Sequence, residues 1–214
     1  KPERRKIIAR EEPVAFDGKH YQLPLDGGTG LGKPLKLMQH PLRDHIPVYL
    51  GAEGPKNVAL SAELFDGWIP MFLSPYRMGE QYADAMAIKG QDFEIAAAVP
   101  VVIDDDVDKA RSQVKQNVGF YIGGMGSAKR NFHKELMARM GFPDEAEQIQ
   151  KLFFEGKRDE AIAVVPDAFA DEISLCGPRD RIKEKLKDWE DSPVTTLLVS
   201  GDIDLLRGMA ELTL

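Results

Sequence analysis

The sequence predicts an α/β fold built on a parallel sheet, half of a TIM (β/α)8 barrel, and three observations predict it. Four short apolar runs, IPVYLGA (46–52), WIPMF (68–72), FEIAAAVPVVI (93–103) and TTLLVSG (195–201), lack the polar alternation of a half-exposed strand. Runs of this kind belong to strands buried on both faces, as in a sheet covered by helices. Segments with helical periodicity separate them, in the order β-α-β-α-β-(helices)-α-β-α. Eight such units take about 250 residues. Four units within 214 residues therefore leave room for a preceding stretch (1–45) and for a helical insertion within 104–176. The whole of 1–214 reads as a single domain.

The elements follow in order. ERRKIIARE (3–11) reads as the end of a helix that Pro13 stops, and FDGKHYQL (16–23) as a small hairpin around Asp17-Gly18. The Pro- and Gly-rich residues 24–45 read as a long surface loop, a feature that usually serves a function. After the first apolar run, Gly54-Pro55 opens a helix with Val58, Ala62 and Phe65 on one face. Residues 74–90 form a helix with Ser74 as N-cap and Pro75 at its first position. The run 93–103 is one strand. Val107, Ala110, Val114 and Val118 then make one stripe of a helix. Short helices follow at 127–140, 144–155 and 157–174, broken by Gly123-Gly124, Gly141, Pro143, Gly156 and Pro166. A helix over 177–189 buries Ile182, Leu186 and Trp189. The last helix, 202–212, turns Leu205, Leu206, Met209 and Ala210 inward.

Charge and composition exclude several functions. The net charge is −7 and the pI about 5.2, which opposes non-specific nucleic-acid binding. No apolar run approaches the roughly 20 residues of a membrane helix. The single cysteine, Cys176, cannot form an internal disulfide and reads as a buried small apolar residue in a reducing cytoplasm. His20, His40, His45 and His133 have no metal-ligand spacing, with His133 expected on a helix surface. Asp104-Asp105-Asp106 lacks the glycine and spaced ligands of a calcium loop and reads as helix capping, so no metal is expected. A chain that starts inside a helix with half a barrel reads as part of a longer protein.

The most informative stretch is PVYLGAEGPKNVALSAELFDGWIP (47–70): strand, Gly-rich turn, helix. Gly51 and Gly54 let the backbone approach a ligand, and Pro55 leaves the amides near Lys56 and Asn57 at the helix N-terminus free to meet a phosphate. Lys56 adds positive charge. The bland alternative, that Gly-Pro only makes a tight βα turn, stands beside it.

The run IPVYLGAEGPKNVALSAELFDGW resembles the fifth-strand segment of the luciferase-like flavin and deazaflavin oxidoreductases. EEPVAFDGKHYQL, FEIAAAVPVVIDDDVDKAR and SLCGPRDRIKEKLKDWEDSPVTTLLVSG resemble other segments of that family, in the same order. The resemblance implies the C-terminal half of the family's barrel, and an F420- or FMN-dependent oxidoreductase that performs hydride transfer or monooxygenation on a small organic substrate. F420 is the expected cofactor, with FMN as the alternative. The turn Gly51, Ala52, Glu53, Gly54, Pro55, Lys56 and Asn57 would hold the cofactor phosphate. Trp68, Pro70, Met71 and Phe72 would line the ring and substrate pocket. The first four strands of the family's barrel have no counterpart in the matching segments, so no catalytic residue is assigned. The rival reading is a non-catalytic flavin-binding half-barrel that persists as a homodimer through its open sheet edge.

Overall fold

A computed structural model of the chain describes residues 2–11, 14–27, 38–43 and 45–213. They fall into two compact units, residues 1–48 and 49–214. In the first, helix α1 (Pro2–Ala9) precedes the hairpin β1 (Phe16–Asp17) and β2 (Gln22–Leu23), antiparallel with Phe16 opposite Leu23. The Gly18 amide donates to the Tyr21 carbonyl at 2.9 Å and closes the turn. Pro13 and the Gly-rich part of the expected loop, residues 28–37, lie outside the described residues.

The second unit runs β3 (Tyr49–Gly51), α2 (Pro55–Leu64), β4 (Gly67–Ile69), α3 (Met78–Gln81), α4 (Ala83–Ile88), β5 (Glu94–Ala98) and β6 (Val101–Ile103). The helices α5 (Val107–Gly124), α6 (Phe132–Arg139), α7 (Pro143–Phe154), α8 (Arg158–Val164) and α9 (Asp167–Glu172) follow. Then come β7 (Leu175–Gly177), α10 (Arg179–Glu190), β8 (Thr196–Leu198) and α11 (Ile203–Thr213). The four apolar runs supply β3, β4, β5 and β8, which pair in that order, all parallel, in an open four-stranded sheet. This is a partial barrel of four βα units. Gly67 is required between β3 and β5: a Cβ there would stand 2.3 Å from the Tyr49 ring and 2.8 Å from the Glu94 carbonyl. The Tyr49 hydroxyl crosses the sheet to donate to Glu94.

Four sequence expectations need correction. The run 93–103 is two strands, because Pro100 has no N–H for a ladder. Its carbonyl instead accepts from the Leu175 amide at 2.9 Å, and β6 leaves the main sheet to pair with β7. The β7 strand was not foreseen: three buried residues after a helix carry no periodicity. Residues 74–90 do not form one helix. The Ser74 hydroxyl accepts from the Arg77 amide at 3.2 Å and caps only a turn, and Tyr82 (φ −126, ψ 31) separates α3 from α4. The break expected at Gly123-Gly124 falls where α5 ends, and a Cβ at Gly123 would meet Phe153 at 2.6 Å, so the glycines let α7 pack close. In α11, Met209 is buried, but Leu206 and Ala210 are exposed, because the helix packs on β6 and α10 through its Gly208–Met209 side.

Two hydrophobic clusters result. One, around Val58, Trp68, Ile95, Leu186 and Trp189, joins the sheet to its covering helices. The other, around Val118, Ile122, Met137, Ile149 and Phe169, is the core of the helical insertion, and includes Phe72 from the end of β4. Among the described residues no helix is long and apolar enough to cross a membrane.

Asp171 ties the insertion to the last βα unit. Its carboxylate accepts from Arg111 of α5 at 2.8 and 3.0 Å and pairs with Arg181 of α10 at 2.8 Å. Burial works against its charge, but the two guanidiniums outweigh burial and hold its carboxyl below the usual carboxylate range. A depressed folded value stabilises the fold above the unfolded carboxylate pKa of about 3.9, and that contribution is lost as pH falls through the folded value. Asp171→Asn is expected to cost about 2 kcal/mol near neutrality. In urea melts at a series of pH values, the gap from wild type is expected to close in acid; a gap independent of pH would contradict this account.

Candidate functional site

At the C-terminal end of β3 the chain turns through Ala52 and Glu53 into α2. Gly54 is the N-cap, in extended conformation (φ −74, ψ 135), and Pro55 occupies the first helical position, where its missing N–H costs nothing. The Asn57 and Val58 amides both donate to the Gly54 carbonyl at 3.0 Å. The Lys56 amide is therefore the first-turn donor available to an anion, and the expected availability of the Asn57 amide is corrected: the tight turn consumes it. No atom lies within 4 Å of the place a Gly54 Cβ would occupy. The turn opens instead on a cavity of about 690 Å³, and all seven residues from Gly51 to Asn57 line it.

Side chains from three other elements hold this turn. The Trp68 indole Nε1 donates to the Ala52 carbonyl at 2.8 Å. The Tyr82 hydroxyl and Arg139 Nη2 both donate to the Glu53 carbonyl at 3.0 Å. Burial pushes the Tyr82 hydroxyl up, against a smaller opposing effect of Arg139, so it stays a donor. His133 Nδ1 stands 2.6 Å from Glu53 Oε1. The pair makes no aligned hydrogen bond.

The opposite wall comes from the insertion. Asn131 Oδ1 accepts from the Lys134 amide at 3.1 Å and starts α6, while its Nδ2 donates to the Tyr121 and Ile122 carbonyls at 3.2 and 2.8 Å. This buried amide docks the start of α6 on the end of α5 and so aims His133 and Arg139 at the turn. Arg130, stacked 5.2 Å over the Phe132 ring, also lines the cavity. Lys56, Arg130 and Arg139 make the rim cationic, against Glu53 and Glu135.

The expected surface position of His133 is corrected: its side chain is 17% exposed, edge-on to the rings of Tyr121 and Phe72 at 4.9 and 5.8 Å. Phe72 itself has φ +52, a costly conformation for a bulky residue, held by its burial. Of the residues singled out in the run 68–72, Met71 lines the cavity, and Met71 and Phe72, which follow β4, line a second cavity of about 370 Å³. That cavity lies beside the C-terminal ends of β4, β5 and β8, with Val99, Pro100 and Leu198 in its wall. Trp68 and Pro70 are buried, and Trp68 acts through its indole on the turn. Sequence reasoning missed Ile69, Arg130, Phe132, His133 and Arg139. The Asn131 cap was a readable signal for the start of α6, but nothing local marks which wall that helix faces. Among the described residues no group of three or more His, Cys, Asp or Glu could hold a metal ion.

Residues 5–196 match the luciferase-like monooxygenase family. A putative coenzyme F420-dependent oxidoreductase of Mycobacterium tuberculosis is 43% identical over 219 residues, covering 97% of this chain and 63% of that protein. The coenzyme F420-dependent tetrahydromethanopterin reductase from Methanopyrus kandleri superposes with a TM-score of 0.63 at 23% identity, covering 93% of this chain and 55% of that one. An F420-dependent secondary alcohol dehydrogenase, solved with an F420–acetone adduct, superposes with a TM-score of 0.64 at 16% identity, covering 96% and 55%. The chain thus spans less than two thirds of these relatives, and the two structures bear on the fold.

The turn's dependence on Trp68 is testable. Trp68→Phe keeps most of the ring but leaves the Ala52 carbonyl without its donor, and is expected to cost about 1–2 kcal/mol in urea unfolding. An unchanged midpoint would mean that the indole does not hold the turn.

Proposed function

The chain belongs to the luciferase-like monooxygenase family, and from that premise we propose that the protein is a coenzyme F420-dependent oxidoreductase acting on a small organic substrate, with FMN as the alternative cofactor. The observation that carries the reading is the coincidence of the 43% identical relative with a cavity whose floor is the whole Gly51–Asn57 turn. The residues fit an anionic cofactor. Gly54 leaves space for close approach, the Lys56 amide and the α2 dipole meet a phosphate, and Lys56, Arg130 and Arg139 supply positive charge. When bound, the deazaflavin ring accepts or gives a hydride, chemistry that belongs to the cofactor.

The chain's own residues bind and orient. The α2 N-terminus fixes the phosphate end. Met71, common to both cavities, lies between that end and the apolar cavity at the strand ends. In this reading Met71 and Phe72 contact the ring and substrate there, and Trp68 and Pro70 support them from behind. Val99, Pro100 and Leu198 give that space an apolar lining, beside the polar groups of Gln113, Asn117 and Ser200. The cytoplasm is the proposed compartment, supported by the one buried free thiol, Cys176. A homodimer is proposed as the working state.

The test is fluorescence titration of the full-length protein with F420 and with FMN. F420 is expected to bind at least about tenfold more tightly than FMN; the reverse order moves the assignment to FMN, and binding of neither removes it. Gly54→Val, which fits the local conformation and space, is expected to weaken cofactor binding by about tenfold or more while the unfolding midpoint stays close to wild type. Equal affinity would place the phosphate elsewhere.

A further inference from the structure

Glu53 belongs to the phosphate turn, yet its carboxylate is a liability there. Its side chain is 11% exposed, and Oε2 is buried with no hydrogen-bond partner. A buried carboxylate is costly unless a charge balances it. It also precedes Gly54 directly, so its charge would repel the anion the turn is built to receive. The group beside it is the His133 imidazole, 2.6 Å away and flanked by the Phe72 and Tyr121 rings. Apolar walls screen less than bulk water, so a charge there acts more strongly than one on the open surface. Arg139 meets the Glu53 carbonyl rather than its carboxylate, and Lys56 and Arg130 line the cavity alongside.

Resting on the reading that an anionic cofactor occupies this cavity, we infer that His133 is a positioning residue, carried by the helical insertion, whose imidazolium neutralises Glu53 and so makes the turn fit for a phosphate. The insertion then contributes to cofactor affinity through charge as well as packing. The role is distinct from ligand contact: His133 acts through Glu53.

The experiment is a double-mutant cycle on the full-length protein, with F420 and FMN as probes and fluorescence titration as the readout. His133→Gln leaves the buried carboxylate unbalanced and is expected to raise Kd by about tenfold or more, a change of about 1.4 kcal/mol. Adding Glu53→Gln removes that charge and is expected to recover most of the loss, to within about threefold of wild type. Unchanged affinity in His133→Gln overturns the inference. So does a double variant no better than His133→Gln, since His133 would then act only by packing against Phe72 and Tyr121. If His133→Gln does not fold, recovery of a cooperative melt in the double variant supports the charge argument, and continued unfolding refutes it. A wild-type protein that binds neither probe removes the cofactor reading, a failure visible before any variant is compared.

Discussion

The carbonyls of Ala52 and Glu53 set the conditions for the rest of the site. They follow β3 two and three residues before α2 begins, where neither strand nor helix offers them a donor. A buried carbonyl without a partner costs about 1–3 kcal/mol, so the fold brings donors to them: the indole of Trp68, the hydroxyl of Tyr82 and the guanidinium of Arg139. Each donor comes from a different element, and so the position of β4, of the α3–α4 break and of α6 is tied to one short turn.

The same demand gives polar work to residues that look like ordinary core. Trp68 is wholly buried in the sheet's hydrophobic cluster, but its polar edge points at the turn. Tyr82 interrupts a helix, and its ring stacks edge-on against Trp68 at 4.8 Å while its hydroxyl reaches Glu53. Asn131 caps α6 and commits its amide to the end of α5, which makes the approach of His133 and Arg139 a rigid one. The insertion has its own core, yet it is locked to the sheet by Phe72 and by the Asp171 cluster. It is therefore a wall of the cavity rather than an appendage.

Much of this was legible in the sequence. The four apolar runs mark the four strands and their order, although the expected burial on both faces holds for most of β4 and β5 and not for β3 and β8. Asp106 at the end of the acidic run does cap α5, accepting from the Asp108 and Lys109 amides at 3.0 and 3.1 Å. The Gly51–Asn57 turn was visible because glycine followed by proline, just after an apolar run, marks the point where a strand gives way to a helix. What was not legible falls where signals are too short or compete. Three residues of β7 have no period, Pro100 splits a strand from within an apolar run, and Tyr82 breaks a helix without glycine or proline.

The sequence by itself determined the parallel α/β architecture, the order of the strands and the location of the strand-to-helix turn that lines the cavity. These depend on local pattern: apolar runs, caps and turn residues that act within one or two helical turns of themselves. Only the tertiary structure decided the opposite wall of the cavity and the pairing of His133 with Glu53. Those depend on the docking of α6 on α5 and α7 within the insertion's own hydrophobic core. A residue's spacing along its own helix says which side it faces, but not which distant turn that side will meet.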